Sequence, residues 1–533
     1  MALPAAASLE HRAAFPRLGV LPGGEHAAAE RKAAVIDLGS NSWRLVVFAY
    51  VPGASWRRVG ELSEPVRIAE GLSASGRLSA GAIARGIETL EIFERYLRAR
   101  GLPRGAVDAV ATSAIRDAEN GAELLSAARE RTSLDITILS AEEEARVGYI
   151  AAVNSTTLSD GVVLDLGGGS LQLTGVAGRR AQRSDSWPLG AVRVTERLLA
   201  GTGPVPRKQL KRARAAVLAE LASASWVGDG GRRLVGMGGA VRNLAAAAQR
   251  LHGDATTGIQ GFLLEPETLR ELVHELARRP PAERALPGIK AARADVVLGS
   301  AVVLDAVLEH GGFDGIEVTR SGLREGVFFQ RRLLPGAGPL LADVRAAAIR
   351  NLALQFDSDR GHADHVARLA LQLHDSLVAG GVIAAAPEER ELLWAAAQLH
   401  DIGVSIGYDG QAGHAHYLIH SAGIDGYGPR ETALIAQIVR HQRKGSPAPG
   451  ELESLARDGD AELVGRCALL LRLAEQLDRG QDQSVRAARL VPEAGDLRLS
   501  VEGDDRLARW SLERRLSDGA FRRAFGGRLV VSP

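Results

Sequence analysis

Two stretches of this chain share one pattern: an apolar run of strand length, then Asp-x-Gly-x-x-Ser, then a second apolar run. AAVIDLGSNSWRLVVF runs from Ala33 to Phe48 and GVVLDLGGGSLQLTGV from Gly161 to Val176, so Asp37 and Asp165 occupy equivalent points of two similar units. Short apolar runs on either side of turn residues predict a β-hairpin in each. Around the first hairpin, residues 31–150 predict an α/β unit. Its further elements are a strand around Ser55 to Ala69, a helix from Ser79 to Arg100, a strand at Val107 to Thr112 and a helix over Gly121 to Arg131, before a strand turns into a helix in ITILSAEEEARVGYIAAV. Residues 151–334 predict a second α/β unit that opens with the second hairpin and ends in helices bearing RADVVLGSAVVLDAV and SGLREGVFF.

The pattern changes after LLPGAGP, whose Pro and Gly predict a linker. Residues 340–485 alternate Ala/Leu-rich helical segments with His and Asp at their ends and predict an all-α domain. Residues 486–533 carry the short alternating segments LRLSVEG and ARWSLERRL, a helix at Gly519 to Phe525 and a last strand, which predict a small α+β unit. Residues 1–30 are Ala-rich with scattered charges and no continuous apolar stretch, and are expected to form a disordered tail without a secretory signal.

Composition narrows the function classes. A chain of 533 residues with 46% hydrophobic content can bury several cores. Its net charge of +1 gives no general bias towards nucleic acid or an acidic membrane. No stretch has the length of uncharged sequence that a membrane span requires. The single cysteine, Cys467, rules out an intramolecular disulfide and suits a reducing compartment, so a cytoplasmic location is expected, with Cys467 in a helix core. Lysine occurs only at 32, 208, 211, 290 and 444, a bias read as compositional.

The hairpins carry the candidate chemistry. Each first strand delivers a carboxylate to a turn of small residues, whose backbone N–H groups are free to cradle phosphate. Either hairpin alone is equally an ordinary turn, but the duplication points to two turns clamping one anion. Gly39, Ser40, Asn41 and Ser42 would donate from one side, and Gly167, Gly168, Gly169 and Ser170 from the other. Asp37 and Asp165 suit Mg²⁺ or Mn²⁺, hard cations that prefer oxygen ligands. In RRLVGMGGAVRNLAAAAQR an apolar strand meets Gly238 and Gly239 and then a helix beginning near Val241, whose N-terminus favours anions. This order of elements resembles that of actin, the heat-shock chaperone ATPases and the sugar kinases. The expected fold class is therefore α/β, a duplicated actin-like (ribonuclease H-like) architecture followed by the all-α domain and the small α+β unit. Glu142, Glu143 and Glu144 open a helix between the hairpins, where acidic residues also simply complement the helix dipole. Arg116 follows a strand and could meet phosphate oxygens.

The motifs DLGSNSWRLVV, ATSAIRDAEN, SAEEEARVGY, DLGGGSLQL, PLGAVRVTE, GMGGAVRNLA and SGLREGV, in that order, resemble the exopolyphosphatase / guanosine pentaphosphate phosphohydrolase family over Asp37 to Val327. The resemblance implies that Glu144, immediately before Ala-Arg, orients or deprotonates the attacking water. It also implies that Asp165 acts with it in catalysis and in metal and phosphate binding. One position departs from the family pattern, since Gln172 stands where a glutamate is usual, and Gln neither carries the charge nor accepts a proton.

GHADHVARLALQLH, QLHDIG and LLLRLAEQLD resemble pieces of an HD-type domain, which implies a second divalent metal at His362, His400, Asp401 and Glu475. Asp478 stands three residues beyond Glu475 as another carboxylate, and His-Asp packing without metal is the competing reading. HAHYLI and HQRK also resemble stretches found in such appended domains, with the second histidine displaced by one position. Arg207, Lys208, Lys211, Arg212 and Arg214, with Arg440, Arg443 and Lys444, could guide an anionic polymer, although solvated helix faces explain the first cluster better.

The expected activity is Mg²⁺-dependent hydrolysis of terminal phosphoanhydride bonds of inorganic polyphosphate. Guanosine pentaphosphate is the nearest alternative substrate. An ATP-using kinase or chaperone-like ATPase and a catalytically weak polyphosphate or alarmone sensor are the alternatives of other classes. No membrane or specific nucleic-acid partner is expected, and a homodimer is allowed.

Overall fold

The computed structural model describes residues 29–531 except 252, 254–257, 336–337, 357, 444–453, 505 and 516–517. The expected tail thus lies almost wholly outside the described residues, as do Gly336 and Ala337 of the expected linker and Lys444 of the basic cluster.

Strands β1 (Arg31–Leu38), β2 (Trp43–Val51), β3 (Ser55–Glu64), β4 (Val107–Ala111) and β5 (Ile136–Ile138) form one sheet in the order β3-β2-β1-β4-β5. Strands β6 (Gly161–Leu166), β7 (Leu171–Ala177), β8 (Arg180–Trp187), β9 (Leu234–Met237), β10 (Leu263–Leu264) and β11 (Ile316–Val318) form a second, ordered β10-β11-β9-β6-β7-β8. In each, the hairpin strands pair antiparallel, and the Asp-bearing strand pairs on its other side with a parallel strand, β1 with β4 and β6 with β9. The two sheets therefore repeat one topology, and the fold is the actin-like α/β architecture that the sequence implied.

The hairpin strands read as continuous apolar runs because both sheet faces are covered. Along β1, Ala34, Ile36 and Leu38 enter the core of the first sheet, while Ala33 and Val35 point the other way into a core shared by both sheets. Val163, Val235 and Met237 of the second sheet enter that shared core from the opposite side. Two helices fill the space between, Ala141–Val153 and Leu323–Phe328, and they cross so closely that a Cβ on Gly326 would lie 1.9 Å from the Val147 carbonyl oxygen.

This crossing changes the expected domain boundaries. Residue 150 falls inside the Ala141–Val153 helix, and the segment after Leu323 returns to the first sheet. There Phe328 stacks on Phe48 with centroids 4.1 Å apart, and Arg332 binds Asp108 at 2.6 Å.

The remaining helices include Val344–Gln355, Arg360–Ala379, Pro387–Leu399, Gln411–Ala422, Pro429–Arg440 and Asp460–Leu477. A three-stranded sheet follows them, β12 (Val485–Glu493), β13 (Asp496–Gly503) and β14 (Leu529–Val531). Its Ala488, Leu490, Leu497 and Leu499 join the same core as the helices, and Cys467 is fully buried in that core as a free thiol. The expected separate C-terminal unit is therefore packed as part of the helical domain. Its segment ARWSLERRL, which looked alternating, lies largely in the helix Arg506–Arg515. The strand expected from Ser55 to Ala69 stops at Glu64, although Val66 and Ile68 beyond its end are buried in the first core.

Replacing Gly326 by alanine should lower the unfolding free energy by about 2 kcal/mol, because the close approach of two backbones cannot relax without moving a helix. Denaturant titration against the parent protein measures this.

Candidate active site

Asp37 and Asp165 sit one residue before the ends of β1 and β6, where the strands feed their turns. The two turns touch across the gap between the sheets. A Cβ on Gly168 would lie 2.9 Å from the Ser40 Cβ, and one on Gly169 would lie 2.4 Å from the Ser113 Oγ. Behind the second turn, the amides of Ala191 and Val192 bind the carbonyls of Gly167 and Gly168 at 3.0 and 2.8 Å. The PLGAV motif thus holds that turn in shape.

Between the turns lies a cavity of about 120 Å³. Asp37, Glu144 and Asp165 line it, together with Gly39, Ser40, Asn41, Ser42, Gly167, Gly168, Ser170, Gly238 and Gly239. The structure thus brings nearly all the sequence-predicted residues to one place. Gly169 is the exception among the glycines, because it faces Ser113 and serves the contact between the turns.

Arg116 differs from expectation as well. It is absent from the cavity lining, and its Nη1 donates to Glu144 Oε2 at 2.9 Å and to the Leu139 carbonyl at 2.8 Å. The expected phosphate contact is replaced by a contact to the candidate base.

The cations that do line the cavity are Arg44, Arg242, Arg293 and Arg324. Arg44 pairs with Asp37 across β1 and β2, the position that Gln172 holds opposite Asp165 in the second hairpin. Arg242 and Arg324 stand inside GMGGAVRN and SGLREG, so their motifs held a signal that was not read. Arg293 lies in no motif and reaches the site only through the fold, its guanidinium so close over Gly239 that any Cβ there would meet it at 2.3 Å.

The three adjacent glutamates separate by helix geometry. Ser140 caps the Ala141–Val153 helix and exchanges bonds with Glu143, whose amide reaches Ser140 Oγ at 3.1 Å while its Oε2 accepts from the Ser140 amide at 2.8 Å. Glu142 and Glu143 are exposed, whereas Glu144 is buried on the inward face.

The electrostatics follow from crowding like charges into a dry gap. Burial pushes the Asp165 carboxyl up to about 7, with the Glu144 and Asp37 carboxylates adding to the shift. Burial also raises Asp37, against the opposing charges of Arg324 and Arg44. Glu144 is raised by burial and partly held back by Arg116. Burial, with repulsion from Arg324 and Arg44, brings Arg242 down to about 9, and Arg293 falls to about 10, again mainly by burial.

Such carboxylates fit a hard divalent cation: they are oxygen donors that burial leaves costly to ionise, and a dication offsets that cost. Gln172 lies outside the lining. Its amide donates to Ser170 Oγ at 2.8 Å, so the Ser170 hydroxyl hydrogen is free to point elsewhere, and its own Oε1 finds no hydrogen-bond partner among the described residues.

A duplicated sheet pair whose Gly/Ser turns close on an arginine-lined, carboxylate-bearing cavity defines a phosphate-handling protein of the actin-like class. The chain belongs to the Ppx/GppA phosphatase family, whose pattern matches residues 46–334. The pattern for domain III of Ppx/GppA phosphatases matches residues 344–515, which cover the helices together with strands β12 and β13 of the same core. Members of the family are hydrolases.

Among similar solved structures, an exopolyphosphatase-like protein is 26% identical over 57% of this chain and 99% of its own, with a TM-score of 0.52. An exopolyphosphatase from Cytophaga hutchinsonii shares the fold at 20% identity over 58% of this chain and 100% of its own, with a TM-score of 0.53. The Aquifex aeolicus family member is 27% identical over 56% of this chain and 97% of its own, with a TM-score of 0.49.

Elsewhere, the structure also gathers His362, His400 and Asp401, each of which offers a ligand atom within 4.8 Å of the others. Glu475 Oε2 lies 3.1 Å from His362 Nε2. In the basic cluster, Arg214 is spent on Asp305 at 2.6 Å and on Glu309. Among the described residues no helix is long and apolar enough to cross a membrane.

If Asp165 must lose its proton to hold a cation, apparent Mg²⁺ affinity should rise about tenfold per pH unit below pH 7 and level off above it. Calorimetric titration between pH 5.5 and 8.5 (about the range that brackets the shift) checks this, and an Asp165→Asn variant should lose the slope.

Proposed function

We propose that the protein removes terminal phosphate groups from inorganic polyphosphate in the cavity between the two sheets, with Mg²⁺ or Mn²⁺ held by Asp37 and Asp165. The observation that carries this reading is the lining itself: Arg44, Arg242, Arg293 and Arg324 converge on two donor-rich turns, and none of the described lining residues is aromatic. That surface suits a chain of phosphates better than a base or sugar. The 26% identity to an exopolyphosphatase-like protein agrees with it.

In this reading the terminal phosphoryl group sits between the turns and Glu144 accepts a proton from water as its oxygen bonds to phosphorus. The bond to the bridging oxygen breaks, and the shortened chain leaves with that oxygen and its charge. A cation bound at Asp37 and Asp165 would supply charge neutralisation at the phosphoryl oxygens. The arginines offset the charge that spreads over those oxygens in the transition state. Arg116 acts through Glu144, holding its carboxylate in place and favouring the ionised form that a base needs.

A second observation favours guanosine pentaphosphate as the alternative substrate. A cavity of about 210 Å³ lies where the sheets meet the helical domain, lined by Trp56, Phe48, Arg57, Arg58, Arg320 and Asp425 among others, and it includes Glu325, next in sequence to Arg324 of the first cavity. An aromatic ring, arginines and the partly buried Asp425 carboxylate, raised to about 6 mainly by desolvation, would suit a purine bearing N–H donors.

Phosphate release from long-chain polyphosphate, guanosine pentaphosphate and ATP separates these readings. Polyphosphate should be the best substrate, Glu144→Gln should lower kcat by about 10²–10⁴-fold, and Trp56→Ala should leave polyphosphate turnover unchanged. Selective loss of pentaphosphate turnover in Trp56→Ala would favour the second reading, and wild-type release from ATP alone would defeat both. No release from any of the three would point to a sensor.

Because Arg116 lowers the Glu144 carboxyl, Arg116→Met should move the acid limb of kcat/KM to higher pH. Activity at low pH should then fall more than activity in the alkaline range, a comparison that pH–rate profiles of the two proteins make directly.

A further inference from the structure

The short helix Ser113–Asp117 follows β4 of the first sheet and is met by the second unit at both of its ends. At its start Ser113 faces Gly169 of the second turn, where a Cβ would lie 2.4 Å from the Ser113 Oγ. At its end Asp117 Oδ2 accepts from Arg193 Nη2 at 2.5 Å. Arg193 stands in the first turn of the helix Ala191–Leu198, whose leading amides bind the Gly167 and Gly168 carbonyls.

Asp117 meets a second guanidinium with its other oxygen. Its Oδ1 lies 3.4 Å from Arg116 Nε, while Arg116 Nη1 donates to Glu144 Oε2 at 2.9 Å. Arg193, Asp117, Arg116 and Glu144 therefore form a row of alternating charge that starts behind the second turn and ends at the candidate base. Asp117 and Glu144 compete for Arg116. While Arg193 occupies Oδ2, Asp117 is already neutralised, and the shorter contact of Arg116 is the one to Glu144. Once Arg193 withdraws, Arg116 is the cation left to Asp117 among the described ion pairs, and its hold on Glu144 weakens.

We propose that Arg193 is a positioning residue for the reaction: by pairing with Asp117 it reserves Arg116 for Glu144, so the base is held in place only while the second turn is seated against the first sheet. The inference rests on the reading of Glu144 as the base. Neither Arg193 nor Asp117 lines the cavity, so both act through Arg116 and not on the phosphate chain. An ion pair whose side chains are 21% and 39% exposed adds little to stability, so a purely structural role predicts little loss of activity.

A second ion pair joins the two units through other residues and serves as the control. Arg67 Nη1 lies 3.0 Å from Asp295 Oδ2, with both side chains about as exposed as Asp117. Removing Arg67 loosens the contact between the units but leaves the row that ends at Glu144 intact.

The test is a double-mutant cycle, read as kcat and KM on whichever of polyphosphate, guanosine pentaphosphate or ATP the parent protein turns over fastest. Arg193→Met should lower kcat by about 10–100-fold with little change in KM. In an Arg116→Met background it should have almost no further effect. Arg193→Lys, which keeps a cation for Asp117, should recover most of the loss, and Arg67→Met should have the same effect in both backgrounds. Crystal structures of the parent and of Arg193→Met give a readout that needs no turnover: Arg116 should bind Glu144 in the first and turn to Asp117 in the second. An unchanged kcat in Arg193→Met, an equal loss in both backgrounds, an Arg193→Lys protein no better than Arg193→Met, or Arg116 still on Glu144 in the Arg193→Met crystal would each overturn the proposal. If the parent releases no phosphate from any of the three, the reading of the cavity fails, and the crystal comparison alone decides whether Arg193 positions Arg116.

Discussion

The catalytic half of this protein depends on the contact between two glycine-containing turns. Gly168 and Gly169 press against Ser40 and Ser113, and any side chain at either position would force the sheets apart. Without that contact the two hairpins would be separate anion cradles on separate sheets. With it, donors from both turns and carboxylates from both strand ends share one small cavity. Gly238, at φ 107° and with no room for a Cβ against the Leu166 carbonyl, brings the third Gly-rich turn to the same wall.

Closeness has an electrostatic cost, and the protein distributes it. Asp37, Glu144 and Asp165 rise in the low-dielectric gap, Arg44, Arg242 and Arg293 fall, and each of these shifts is set mainly by burial before the neighbours add or subtract. Arg324 shows the tension most plainly. Its Nη1 is buried without a hydrogen bond among the described residues, and the nearest carboxylate oxygen, on Glu61, is 3.7 Å away. A cavity that gathers both signs of charge at close range is the feature on which the proposed reading of the site rests.

The helical domain handles charge differently. Its buried histidines and carboxylates are tied to partners on their outer atoms, and burial, which opposes the imidazole proton, is outweighed by Asp478 and Glu475 so that His362 rises to about 10. The chain thus contains an arginine-lined cavity between the sheets and, apart from it, a buried cluster of imidazoles and carboxylates in the helical domain. The domains meet closely enough for Arg320 to donate to the Gly423 carbonyl at 3.2 Å and for the Trp56 amide to donate to Asn351 Oδ1 at 2.8 Å.

The local signals were strong where chemistry and turn geometry coincide. Two copies of Asp-x-Gly-x-x-Ser between apolar runs sufficed for the duplicated fold and for the residues of both turns, because a turn's conformation is set by the residues in it. The Glu142–Glu144 run was legible as a helix start, and burial of Glu144 alone follows from how that helix lies against the sheets. Arg116, Arg293 and the boundary at residue 150 were not legible, since each depends on which elements cross which. A cation 28 residues from Glu144 in sequence becomes its partner, and one more than 250 residues from Asp37 closes over the same cavity, only after two sheets have stacked around a shared core. Sequence by itself determined the strand ends and turns that present the ligands; packing between distant segments decided which charges face one another.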